Sequence, residues 1–227
     1  MRSSSWRCRA VTSKLIIAAI LILTAAAPLR AQPPGWTVTF AAGAATPVND
    51  ISSRLSTGWN VDAGVGYEFN SWLSLFGDFA FARMGVPADV LQESSAPDGY
   101  GHILALTIDP KVQFPLAAHL QGFVIGGAGW IHRTVTLTAP DVQYVDDYDP
   151  YYGDLGPQPI AVEQVLGATT RNALGEDIGG GVSYPLPSIG AELFASVRYY
   201  YAPTTPRVTA MIPVTFGVRF TPSRLKP

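Results

Sequence analysis

The chain has 227 residues, of which only 14% are charged, and it carries 22 Gly and 19 Pro. This composition is poor in the Lys and Glu that fill helices, and it favours strands and turns. Without its first 31 residues the chain keeps 10 Lys and Arg against 17 Asp and Glu, a formal net charge of −7, which argues against nucleic acid as a partner because phosphate binding needs a basic face.

Residues 1–31 are predicted to be a cleaved signal peptide. Residues 15–27 are uncharged and mostly aliphatic, and small Ala31 ends the segment. A basic head precedes this apolar core and consists of Arg2, Arg7, Arg9 and Lys14. The core is shorter than the ~20 residues of a spanning helix; an uncleaved membrane anchor is the alternative. Cys8 lies before the core, so the mature domain, residues 32–227, has no cysteine for a disulfide or a metal site.

After residue 32 the chain is predicted to form strands almost throughout. In residues 59–69, large apolar side chains alternate with polar or very small ones, which is typical of a strand between two different environments. The predicted strands are 36–44, 59–69, 73–81, 104–114, 120–138, 177–184, 192–201 and 210–220. Only 120–138 is too rich in glycine for its two faces to be assigned.

The connections between these strands alternate in length. The short ones, 70–71, 115–119 and 185–188, have the Asn, Ser and Pro of tight turns. The others, most of them much longer, are 46–56, 84–100, 139–174 and 203–207. In an up-and-down barrel this order puts every short turn at one rim, as in transmembrane barrels of the outer membrane. We therefore predict an all-β fold, an eight-stranded antiparallel up-and-down transmembrane β-barrel.

The charged face of the strands is predicted to line the lumen. Its charges are interspersed with small residues, whereas the other face carries rings that would overfill the interior of an eight-stranded barrel. The predicted lumen charge network is Asp62, Glu68, Asp78, Asp109, Lys111, Asp177, Glu192, Arg198 and Arg219. We expect the three bases to bridge carboxylates, because an unpaired buried charge is costly.

Aromatic residues cluster at the strand ends, where Trp and Tyr prefer the membrane interface. The predicted aromatic girdle includes Trp36, Trp59, Phe69, Trp72, Phe114, Tyr184 and Phe220. The alternative is that aromatic residues merely favour strands.

The longest connection is acidic and rich in tyrosine. Its acidic residues are Asp141, Asp146, Asp147, Asp149 and Asp154. Three interpretations stay open: a solvated loop, a surface that contacts a partner, and a site for Ca²⁺ or Mg²⁺ that is not an EF-hand. We predict no catalytic, cofactor-binding or defined metal site, because His102, His119 and His132 lie on different strands or turns without a short metal-ligand spacing.

The pattern resembles the outer-membrane protein A-like and opacity-type barrels, a superfamily of eight-stranded outer-membrane barrels, over residues 36–220. The most specific stretch is 212–220, with alternating apolar residues and a final aromatic, similar to the terminal strand that these barrels present to the barrel-assembly machinery. The resemblance implies a cell outer membrane location and lipid contact, and it fixes no single activity.

Three functions remain open from the sequence. The first is a non-enzymatic structural or surface-interaction protein that acts through its external loops. The second is a narrow pore for ions or small solutes, gated by the lumen charges. The third is a lipid-modifying enzyme with a lipid-facing Ser/His pair; its nearest local feature is His132-Arg133-Thr134, where no Ser lies two residues after the His.

Overall fold

The computed structural model describes residues 34–151 and 153–222, except for the side chains of 145–149, 154, 155 and 158. The predicted signal peptide, residues 1–31, lies outside this part of the chain. Eight strands form a closed antiparallel barrel within it, in the order β1 to β8, with β1 paired to β8. The strands are β1 Gly35–Pro47, β2 Gly58–Glu68, β3 Leu73–Gly85, β4 Asp98–Ala117, β5 Leu120–Asp149, β6 Gly153–Leu186, β7 Ala191–Ala202 and β8 Thr209–Phe220. The predicted antiparallel barrel is confirmed.

The connections sort onto two rims, as the sequence predicts. The turns at one rim are 69–72, 118–119 and 187–190, and the last of them contains a short 3-10 helix, Pro187–Ile189. At the other rim, the β1–β2 connection contains a 3-10 helix, Asn49–Ile51, and the β3–β4 connection contains the helix α1, Ala88–Ser94. In outer-membrane barrels the rim of short turns is periplasmic and the rim of long connections is external.

The stretch 139–174, predicted to be a loop, is instead a continuation of β5 and β6, and that prediction is wrong. The two strands pair from Gln121↔Ser183 out to Asp149↔Gly153. β4 accompanies β5 only as far as Thr138, and β7 accompanies β6 only from Glu176 onward. The outer part of the hairpin is therefore a two-stranded ribbon with solvent on both faces. Because both faces meet the same solvent, its sequence lacks the apolar–polar alternation from which a strand is predicted.

The barrel turns its large apolar side chains outward. Ile108 is 65% exposed and Phe216 is 68% exposed, whereas Asp109 and Thr215, their neighbours in the chain, are buried in the lumen. An exposed apolar band of this extent around a closed barrel marks a lipid contact rather than a water-facing surface.

Candidate functional site

An arginine hub fills the middle of the lumen. From β7, Arg198 places Nη1 2.7 Å from Asp78 Oδ2 and Nη2 2.5 Å from Asp177 Oδ2, and it also pairs with Asp109. These carboxylates come from β3, β4 and β6, so one guanidinium ties three other strands to β7. Asp62 lies nearby and accepts hydrogen bonds from the Asn60 amide, 3.2 Å from each carboxylate oxygen.

A second group of charges lies nearer the periplasmic rim. Arg219 pairs with Glu192 at 3.0 Å. The Lys111 ammonium lies 5.0 Å from the Phe76 ring centre and 5.2 Å from that of Phe123, a cation–π arrangement. Glu68 is buried at the periplasmic end of β2. The structure thus places all nine residues of the predicted network inside the barrel.

Little free space remains among these charges. The lumen cavity lined by Asp62, Asp78, Lys111, Arg198 and Arg219 has a volume of about 40 Å³. A single water needs on the order of 10–15 Å³ on this measure, so the cavity has room for only a few waters. This part of the lumen is a packed interior.

A cluster of buried apolar side chains lies on the external side of the arginine hub, and the sequence did not predict it. The buried cluster there includes Met84, Ile103, Ile131, Tyr200 and Met211, and Ile51 and Leu55 from the β1–β2 connection cover it. Ile131 belongs to the stretch whose faces could not be assigned from sequence. We call this cluster the apolar plug; it separates the arginine hub from the external medium.

The predicted girdle residues lie at the strand ends. Trp36 packs edge to face against Tyr67, with ring centres 5.4 Å apart, and Trp59 lies 5.6 Å from Phe81. Trp72 is half-buried before β3. The remaining girdle residues are exposed toward the periplasmic ends of their strands: Phe69, Phe114, Tyr184 and Phe220.

The outer part of the β5–β6 hairpin, residues 139–167, carries exposed aromatic and acidic groups. Tyr144 is 71% exposed and Tyr151 is 94% exposed. Asp141 is exposed, and the side chains of the other predicted acidic residues, Asp146, Asp147, Asp149 and Asp154, lie outside the described side chains. Among the residues that the structure describes, no cluster of three His, Cys, Asp or Glu side chains could hold a metal ion.

A hydrogen-bonded His relay lies on the outer face of the barrel near the external rim. His132 Nδ1 lies 2.5 Å from Asn172 Oδ1, and His132 Nε2 lies 3.1 Å from the Thr134 hydroxyl. The residue two positions after His132 is a Thr rather than a Ser, and its hydroxyl lies within hydrogen-bond distance of the imidazole. Asn172 could not be recognised from the sequence, because only the pairing of β5 with β6 brings it opposite His132.

Of the other two histidines, one lies beside the His relay and the other lies at the opposite rim. His102 lies on β4 opposite Thr134, with its ring stacked at 6.0 Å on Phe81 and at 6.2 Å on Tyr100. His119 lies in the periplasmic β4–β5 turn, 6.4 Å from the Tyr184 ring.

Among the described residues, no helix is long and apolar enough to span a membrane.

Two solved structures with TM-scores above 0.5 have the same fold at low sequence identity, and a third matches less well. Neisserial surface protein A matches with a TM-score of 0.57 and 16% identity over 83% of this chain and 98% of that one. A major outer membrane protein from Thermus thermophilus matches with a TM-score of 0.52 and 13% identity over 83% and 98%. The attachment invasion locus protein Ail of Yersinia pestis matches with a TM-score of 0.44 and 16% identity over 82% and 97%.

No curated protein matches the chain. A family model, described as the outer membrane protein beta-barrel domain, matches residues 15–220. That range includes all eight strands of the closed barrel and its outward apolar band, and it agrees with a location in the outer membrane. The chain belongs to the outer membrane protein beta-barrel domain family.

Proposed function

We propose that this barrel is a non-enzymatic surface-interaction protein whose β5–β6 hairpin binds a partner with a basic surface. The observation that carries the proposal is the extension of this hairpin beyond β4 and β7. Past Thr138, β5 continues to Asp149, which is roughly 35 Å at about 3.3 Å per residue. A ribbon of this reach contributes nothing to closing the barrel.

The chemistry of the ribbon supports a cationic partner. Residues 139–167 contain six carboxylates and no Lys or Arg. Exposed Tyr144 and Tyr151 lie among these acids, and aromatic side chains are enriched where proteins contact each other. Carboxylates interleaved with tyrosines favour Lys and Arg on the partner, through ion pairs and through cation–π contacts.

A hairpin truncation tests the proposal. Asp141 and Val162 are paired across the ribbon, so an Asn-Gly turn can replace residues 142–161 without a change of register. We expect the protein in phosphatidylcholine vesicles to bind a lysine-rich peptide, and the truncated protein to lose that binding while keeping its heat-modifiable gel mobility.

Charge variants show whether peptide binding depends on the acids of the ribbon or on the negative charge of the whole external rim. Replacing Asp141, Asp146, Asp147, Asp149 and Asp154 by Asn should weaken peptide binding at least tenfold. Asp89→Asn with Asp98→Asn is the control for position, because it removes two acids near the same rim but outside the ribbon; Asp141→Asn with Asp149→Asn is the ribbon variant that matches it in number. Equal binding by the truncated and the intact proteins would refute the proposal; binding that needs added Ca²⁺ would assign the acids to a cation instead.

A second candidate function, cleavage of an acyl ester in the outer leaflet, is supported by the His relay. A hydroxyl bonded to a His nitrogen, with the other ring nitrogen held by a third group, is the arrangement of nucleophilic hydrolases, including a Cys-His-Asn form. With the proton on Nδ1, His132 donates to Asn172, and its Nε2 accepts the Thr134 proton. Neutral Asn172 orients the ring but does not neutralise an imidazolium, which is why this function ranks second.

Lipid mass spectrometry decides between the two functions. Cells that express the protein should show no loss of an acyl chain from outer-membrane lipid if the first proposal holds. If chains are lost, Thr134→Val and His132→Gln should abolish the loss. Thr46→Val is the matched control, because the exposed Thr46 hydroxyl bonds Thr57 at 3.2 Å and lies on β1, away from the relay.

A further inference from the structure

A cavity of about 510 Å³ opens at the external mouth of the barrel. We call it the mouth cavity. The β1–β2 and β3–β4 connections, the stem of the β5–β6 hairpin and the β7–β8 connection all contribute to its wall. Ligand pockets typically have volumes of about 300–1,000 Å³, so the mouth cavity is large enough for a small organic molecule.

The wall combines aliphatic side chains with three guanidinium groups. The aliphatic part includes Leu55, Val90 and Leu137, and the basic part consists of Arg54, Arg133 and Arg207. Arg54 is neutralised by Glu93 at 2.6 Å. Arg207 donates to the neutral Ser53 hydroxyl at 3.2 Å. Among the side chains that the structure describes, neither Arg133 nor Arg207 forms an ion pair.

Arg133 is the decisive residue. It lies on β5, directly above the apolar plug residue Ile131, and only 7% of it is exposed. Its Nε has no hydrogen-bond partner among the described residues. A guanidinium buried without a counter-charge is costly, and an anion bound in the mouth cavity would supply the missing charge.

We propose that the mouth cavity binds an anionic amphiphile, with a phosphate or carboxylate held by Arg133 and Arg207 and an aliphatic body against Leu55, Val90 and Leu137. A free polar anion would leave the aliphatic wall unused, and an uncharged lipid would leave the two guanidiniums unpaired. The site is separate from the hairpin ribbon, because it lies at the hairpin stem rather than in the part that carries the acids.

Calorimetric titration of the full protein in phosphatidylcholine nanodiscs tests this proposal, with hexyl phosphate as the probe and empty nanodiscs as the blank. We expect saturable binding of hexyl phosphate, and at least tenfold weaker binding of hexanol and of inorganic phosphate. Arg133→Gln should weaken hexyl phosphate binding at least tenfold, and Arg207→Gln severalfold. Arg83→Gln is the matched control, because exposed Arg83 lies over the Tyr100 ring and does not line the cavity.

A second variant, which fills the cavity, tests the proposal independently in case Arg133→Gln does not fold. Ala168 lines the cavity from the hairpin stem, so Ala168→Phe should block binding without any change of charge. No saturable binding by the wild type, equal binding of hexanol, or unchanged binding by Arg133→Gln and Ala168→Phe would each overturn the proposal.

A further titration distinguishes an anion supplied by the membrane from one supplied by the solution. Nanodiscs that contain phosphatidic acid should suppress hexyl phosphate binding if the membrane supplies the ligand. They should leave binding intact if the ligand is a free solute.

Discussion

Arg198 on β7 holds Asp177 on β6 through two nitrogens, with Nε 3.0 Å and Nη2 2.5 Å from the same carboxylate oxygen. The same guanidinium reaches Asp78 and Asp109. All four side chains lie in an interior with room for only a few waters. The arginine hub therefore acts as a crosslink of β3, β4 and β6 to β7, and its loss would leave several carboxylates facing one another.

Replacement of this guanidinium should be strongly destabilising. We expect Arg198→Gln to lower the free energy of unfolding by about 3–5 kcal/mol, because it leaves buried carboxylates without their counter-charge. Urea titration of the barrel in lipid vesicles measures this change. The control is Arg54→Gln, which removes an exposed ion pair with Glu93 and should cost under about 1 kcal/mol. Equal effects of the two substitutions would contradict the crosslink.

A charge on the outer face should be costly only where that face meets lipid. Phe216 lies in the apolar band of β8, and Phe216→Lys should destabilise the barrel by about 2–4 kcal/mol, the range expected near the membrane midplane. The control is Tyr144→Lys on the hairpin ribbon, where the original side chain is equally exposed, at 71% against 68%, but faces water. We expect that change to stay within about 0.5 kcal/mol. Similar losses at both positions would mean that the two surfaces meet the same solvent.

The barrel could be predicted from sequence because each strand has lipid on its outer face and charged groups on its inner face. Apolar and polar residues therefore alternate along the strand with a period of two. In β2, every second residue from Trp59 to Tyr67 points outward, as predicted. β5 could not be assigned in the same way. A Cβ at Gly127 would collide with the carbonyl oxygen of Ile108 on β4, and a Cβ at Gly129 with that of Leu106. Glycine is therefore required at these positions by the close approach of the β4 backbone, and its presence does not indicate which face of β5 is polar.

The parts of the site that sequence missed depend on the pairing of distant strands. His132 and Asn172 are 40 residues apart in the chain and become neighbours only through the register of β5 on β6. The apolar plug was missed for another reason. Met84 belongs to the stretch 84–100 that was predicted to be a connection, and Ile103 precedes the predicted strand 104–114. In the structure β3 and β4 extend over both residues, and their side chains point into the lumen.

The closed lumen leads to a prediction about conduction. We expect the wild-type protein to give no steady single-channel steps in planar bilayers, because an ion would have to cross both the arginine hub and the apolar plug, and apolar constrictions block ions by excluding water.

Arg198→Ala alone should also stay silent, because Ile103, Ile131 and Met211 still fill the external half of the lumen. Steps should appear only when Arg198→Ala is combined with Ala at all three plug positions, and the triple plug variant that retains Arg198 is the matched control. Discrete wild-type steps whose size changes in Arg198→Ala would show instead that ions pass the hub, and the lumen would then be a gated pore.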